Sequence, residues 1–107
     1  MPDPGAALIW CPFGDGASAE AVAVALLDEG VVACANIVPS VRSLYRWQGK
    51  RGETVEVGVL FKTTAAGLHR AVERLETLHP YDAPAITAWC CDAAGSATLD
   101  WLGEEIR

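Results

Sequence analysis

The sequence predicts an α+β fold in one domain spanning residues 1–107. The expected arrangement is a βαββαβ sandwich, two helices on one face of an antiparallel sheet, followed by a short C-terminal helix. Three observations carry this. Apolar runs of strand length alternate with two stretches of helical spacing. Glycine, proline and aspartate clusters separate the runs at short intervals. With 107 residues, 51% of them apolar, the chain has material for a single core.

The elements follow in order. Residues 6–11 read as a strand, ended by Pro12 and the turn residues Phe13, Gly14, Asp15 and Gly16. Ser18 is placed to cap a helix running to about Glu29, where Gly30 stops it. This helix is apolar nearly all round, with Ala19, Val22, Ala23, Leu26 and Leu27 on one side and Ala21, Val24 and Ala25 on the other. Such a helix is expected to pack on more than one side.

Residues 31–38 form the second strand, broken at Pro39 and Ser40, and a further stretch runs from Val41 to about Trp47. There Val41, Ser43, Tyr45 and Trp47 share one face, while Arg42, Leu44 and Arg46 share the other. Residues 48–53 read as the hairpin turn, and residues 55–63 as the returning strand. Val55, Val57, Val59 and Phe61 are expected to face the core, with Glu56, Gly58, Leu60 and Lys62 opposite.

Thr63 or Thr64 is placed to cap a helix over residues 65–78, where Leu68, Ala71, Val72, Leu75 and Leu78 follow helical spacing. His79 and Pro80 stop it, because a residue before proline avoids the helical region. Residues 85–91 read as the last strand. Ser96 then caps a short helix anchored by Leu99, Trp101, Leu102 and Ile106. This is the order of a ferredoxin-like sandwich, which leaves one sheet face without helices. In a chain with a mean hydropathy of +0.22, that face is expected to meet a second subunit.

Charge and composition exclude several function classes. The net charge is −6, and with a pI near 4.7 general nucleic-acid binding is not expected. The charge is uneven: residues 42–62 hold Arg42, Arg46, Lys50, Arg51 and Lys62 against Glu53 and Glu56, a balance of +3 that leaves −9 for the remainder. This region reads as a solvated hairpin, as an anion site, or as a surface for an acidic neighbouring subunit. No apolar run approaches the ~20 residues of a membrane span. The start, Met1 to Gly5, lacks the basic opening of a signal peptide, so the expected compartment is the cytoplasm.

The chemistry-bearing residues are few. Cys11, Cys34, Cys90 and Cys91 form no CxxC pair, which argues against a zinc ribbon or thioredoxin-type motif. Cys11, at a strand end, is the candidate for an accessible thiol. Cys34 reads as a small core residue or a ligand, and Cys90 and Cys91 as small strand residues. His69 reads as a solvated surface histidine. His79 reads as a charge at a helix C-terminus or as a ligand. Tyr45, Trp47 and Tyr81 are packing residues or pocket walls. Lys62 reaches solvent by its stem or fixes a carboxylate or phosphate. There is no nucleophile elbow and no complete dinucleotide fingerprint, so no catalytic residue is nominated.

A family resemblance rests on motifs in fixed order. They are Leu26 and Leu27 with residues 32–37, Pro39, residues 43–50, Glu56, residues 62–64, residues 79–84, and Trp101 with Leu102. Together they resemble the CutA family of divalent-cation tolerance proteins. The resemblance implies a ferredoxin-like protomer in a PII-like homotrimer, with hairpins interlocking between subunits and no enzymatic activity. It implies a bound divalent metal ion, copper foremost, at Cys11, Cys34 and His79. It also implies an inter-subunit cleft lined by Trp47, Glu56, Lys62 and Tyr81. An alternative is a PII-like module whose cleft holds a small anionic metabolite. The chain departs from the family pattern at Arg51 and Gly52, where relatives commonly carry a large aliphatic residue and then glutamate, and at Ala85, where many carry glutamate. The loss favours soft-donor metals over magnesium or calcium.

Overall fold

Alternation along the first strand sets the faces of the whole sheet. In the computed structural model, which describes residues 5–107, β1 (Ala6–Phe13) turns Ala7, Ile9, Cys11 and Phe13 fully into the core. Leu8, Trp10 and Pro12 point to the other face. The leader expectation rests on Met1 to Gly5, and all of these but Gly5 lie outside the described residues.

β1 pairs antiparallel with β3 (Lys50–Thr64) and with β4 (Thr87–Cys90), and β3 pairs with β2 (Cys34–Trp47). The strand order is therefore β2-β3-β1-β4. On the Cys11 face lie α1 (Gly16–Glu29) and α2 (Leu68–Leu78). Val22 and Leu26 from the first and Ala71 and Leu75 from the second join Val59 and Phe61 in one core. α3 (Ser96–Glu105) contributes the buried Leu102. The expected ferredoxin-like βαββαβ sandwich with a short C-terminal helix is present.

Polar contacts fix its joints. Thr63, with no exposed surface, donates its hydroxyl to the Val31 carbonyl at 2.8 Å. Arg74 on α2 grips Glu29 on α1 through both carboxylate oxygens, at 2.6 and 3.0 Å. That contact holds the Glu29 carboxyl below the usual carboxylate range. Gly30 stops α1 as expected, in the left-handed conformation that a residue without Cβ adopts freely.

Several boundaries differ from the sequence expectation. Asp15, not Ser18, caps α1: its carboxylate accepts from the Ser18 amide at 2.7 Å, so Ser18 lies inside the first turn. α2 starts at Leu68, because Thr63 spends its hydroxyl on Val31 and Thr64 accepts from the Gly67 amide in a preceding turn. Strand β2 passes through Pro39 and Ser40 as a bulge, with the register shifting between Val38 and Val41. The hairpin turn is only Gln48 and Gly49, with φ of 51° and 77°, a pair that reverses the chain in two residues. β4 covers only Thr87–Cys90 of the expected 85–91.

The outward side of α1 is bare in this chain, with Val24 and Leu27 exposed. Val55, expected in the core, is 62% exposed. The reason is geometric: β1 meets β3 only from Val57 onward, and residues 41–56 pair with nothing but each other. They form an arm that stretches the molecule to 45 Å against 26 and 22 Å in the other directions. Leu44, Tyr45, Trp47 and Val55 stand exposed along it.

Candidate functional site: a groove at the root of the arm

The end of β1 organises the site. Pro12 has no amide hydrogen, but its carbonyl accepts the Nε2–H of His79 at 2.9 Å. The Nδ1 atom of the same ring accepts from the Tyr81 amide at 3.0 Å. These partners assign the proton to Nε2. The ring is buried and stacks on Phe13 with centroids 4.2 Å apart. His79 thus ties the loop after α2 to the sheet, and it directs Tyr81 over the arm.

Tyr81 then donates its hydroxyl to Glu56 Oε2 at 3.0 Å. Its phenol is pushed up to about 12, first by burial and then by the bond to Glu56. Glu56, the neighbour of Val41 in the β2–β3 ladder, is only 9% exposed although it faces away from the helices. Register places Ser43 opposite Thr54 and Tyr45 opposite Gly52 on this same face. A Cβ on Gly52 would fall 2.5 Å from the Tyr45 ring, so the glycine lets that ring lie against the strand. The resulting groove is about 910 Å³ and runs from Tyr81 and Asp82 to Tyr45 and Trp47, with Glu56 in its lining.

Three of the four expected cleft residues therefore come together: Trp47, Glu56 and Tyr81 line the groove. Lys62 does not join them. It lies between Leu8 and Cys34 in the ladder, farther along the sheet face that the helices leave open. Ser43, Thr54, Arg46 and Asp82 also line the groove and were not nominated from sequence. For Ser43 the signal was present, since it shares the alternation of Tyr45 and Trp47. For Asp82, delivered by an irregular loop, there was none.

The thiol and imidazole candidates do not converge in one chain. Cys11 is not the accessible thiol expected: it has no exposed surface, and burial pushes it up to about 12, aided by the charge of Glu56. β1 continues past it to Phe13, so alternation rather than the nearby proline decides its direction. Cys34 pairs with Lys62, on the opposite sheet face from Cys11, and is half-buried with its thiol donating to Asn36 Oδ1 at 3.6 Å. His79 has both ring nitrogens engaged. Among the described residues no group of three or more His, Cys, Asp or Glu side chains is gathered as a metal site. These three residues thus do not fit a metal within a single chain. Cys90 is exposed and Cys91 half-buried, and all four cysteines are free. No helix of the described residues is long and apolar enough to cross a membrane.

The comparisons with known proteins agree with one another. A family described as CutA1 divalent ion tolerance protein matches residues 7–105. A divalent-cation tolerance protein CutA of Thermus thermophilus is 43% identical over 86 residues, 80% of this chain and 84% of that protein. The protein of the same name from Pyrococcus horikoshii is 40% identical over 100 residues, 94% of this chain and 97% of its own. The crystal structure of CutA from Xylella fastidiosa superposes with a TM-score of 0.90 at 36% identity, covering 96% of this chain and 99% of that one. Matching fold, length and sequence place the chain in one group: it belongs to the CutA1 family of divalent ion tolerance proteins.

Proposed function

We propose that this member of a divalent-cation tolerance family works as a cytoplasmic, PII-like homotrimer that binds a divalent metal ion, copper foremost, and catalyses no reaction. The observation that carries the trimer is the arm. A two-stranded ribbon held to the body only at its root, where Tyr81 meets Glu56, is marginal in water, yet this one exposes Leu44, Tyr45, Trp47 and Val55. Partner subunits that cover both its faces supply what the single chain lacks. Four free cysteines suit a reducing compartment.

For the metal, Cys34 is the one of the three proposed ligands that remains reachable, on the open sheet face where copies would meet. Cys11 and His79 then act mainly as structural supports. Donors from more than one copy would complete the coordination. The groove lined by Trp47, Glu56 and Tyr81 is the proposed ligand cleft.

Light scattering tests the assembly, with a mass near three times 11.3 kDa expected. A monomer at all concentrations would refute it. Copper titration tests the metal: binding at micromolar concentration that is lost in Cys34→Ser is expected. Binding unchanged when Cys11, Cys34 and His79 are all replaced would overturn the assignment. A second reading, a small anion held in the inter-subunit cleft by Lys62 of one copy and Tyr81 of another, draws on the +3 balance over residues 42–62. Its thermal-shift signature is stabilisation by the anion that weakens in Lys62→Ala.

A further inference from the structure

The far end of the arm carries a conflict of charge. Arg46 and Arg51 lie directly opposite each other in the β2–β3 ladder, and by alternation both side chains leave the ribbon on the side of Leu44 and Val55. Like charges directly opposite each other weaken a strand pair. Nothing in the same chain relieves this one. Glu53, in the next row, is engaged by Arg42 at 2.7 Å, and Glu56 is bonded to Tyr81 on the other side of the ribbon. Arg46 reaches only the Gly49 carbonyl, at 3.4 Å, and the Arg51 side chain has no hydrogen bond or ion pair among the described residues.

Covering the arm sharpens the conflict. Leu44 stands one row from the two arginines, about 7 Å along the strand, so a partner that buries Leu44 and Val55 also takes water from both guanidinium groups. A charged group removed from water without a counter-charge is costly. The covering surface must therefore bring carboxylate. Residues 42–62 sum to +3 and the rest of the chain to −9, so the body of a second copy is such a surface, whereas another arm is not.

We infer that Arg46 and Arg51 form a clamp that closes on a carboxylate from the body of the neighbouring copy and fixes where the end of the arm comes to rest. Each planar guanidinium offers paired donors, which suit the two oxygens of a carboxylate better than an ammonium group does. This rests on the trimer reading and names the chemistry of one of its contacts.

The test is the monomer–trimer midpoint of the full chain, read by light scattering at low ionic strength, with subunit exchange between labelled trimers as a second readout. Losing a charged hydrogen bond weakens a contact by about tenfold or more. A symmetric trimer repeats the contact at each interface, so Arg51→Gln should weaken the trimer constant by about 10³ and raise the midpoint about thirtyfold, with faster exchange. In about 1 M salt, where screening acts within ~3 Å, the difference should narrow. Arg70→Gln, on the exposed side of α2, removes the same charge and should stay within about threefold of wild type. Arg51→Lys keeps the charge without the fork and should fall between wild type and Arg51→Gln. Wild-type assembly in Arg51→Gln, or a shift no larger than that of Arg70→Gln, overturns the inference and leaves the trimer reading standing. Full recovery in Arg51→Lys also overturns it. So does unaltered assembly of Arg51→Gln together with loss of a thermal shift that malonate produces in wild type, which would assign the pair to a free anion. Wild-type protein that stays monomeric removes the trimer reading and this inference with it.

Discussion

The arm gives the most direct handle on assembly. Leu44 and Val55 lie on its face away from the groove, 60% and 62% exposed, flanking the ion pair of Arg42 with Glu53 at 2.7 Å. Fully burying a Val or Leu side chain stabilises by about 1.5–3 kcal/mol, so covering the exposed parts of these two is worth about 1–2 kcal/mol each. That amounts to ~2–4 kcal/mol per chain and ~6–12 kcal/mol per trimer. Replacing both by serine should weaken the trimer constant by about 10⁴ or more. Because a monomer–trimer midpoint scales as the square root of that constant, the midpoint concentration should rise about a hundredfold. Sedimentation or light scattering over a wide concentration range reads this directly. The single chain should be little affected, since the substituted side chains already face solvent. A double variant that keeps the wild-type midpoint would show that this face of the arm is not buried by a partner.

Other outcomes follow from the joints of the fold. Thr63→Val should lower stability by about 1–2 kcal/mol, because the Val31 carbonyl loses its donor while one more methyl is buried. Melting at a fixed protein concentration should show this, and a Val variant as stable as wild type would mean that the bond contributes nothing. Asp15, through Ser18, and Glu29, through Arg74, have carboxyls held below their ordinary range. Their stabilisation is therefore complete above the unfolded-state values and is lost as pH falls through the lower folded values, below about pH 4. The double variant Asp15→Asn with Glu29→Gln should lose less melting temperature between pH 7 and pH 3 than wild type does, and an identical loss would count against the assignment. With an alkylating reagent at neutral pH, exposed Cys90 should react first and Cys11 last, as mass spectrometry of the modified chain can show.

The fold was legible because its signals are local and redundant. Alternation at Ala7, Ile9 and Phe13, helical spacing from Leu68 to Leu78 and the stop at Gly30 each act within one element, and all agree. The errors arose where one residue had two local uses. Ser18 and Asp15 are the two ends of the same capping bond, and the sequence does not say which end is the cap. Pro39 is a breaker in most strands, but here a bulge absorbs it. Cys11 was read by its neighbour Pro12 when the period of the strand was the stronger signal. At the groove, Trp47, Glu56 and Tyr81 were found through resemblance. The displacement of Lys62 was not, since a register of several strands fixes it.

The two-residue turn at Gln48 and Gly49 also orders events in time. It makes the β2–β3 ribbon the most local pairing in the sheet, whereas joining β1 to β4 brings Ala7 to Cys90 across most of the chain. Hairpins close in about 1–10 μs, and long-range pairings come later because loop closure must precede their reward. The ribbon is thus poised to zip early, with Leu44 and Val55 outward, before either β4 or a partner copy is in place. Newly made chains pass through an interval in which their stickiest surface is already formed and still unclaimed. For this protein the yield of soluble material should depend on how quickly copies find one another, and slow dilution should favour aggregation over the native assembly.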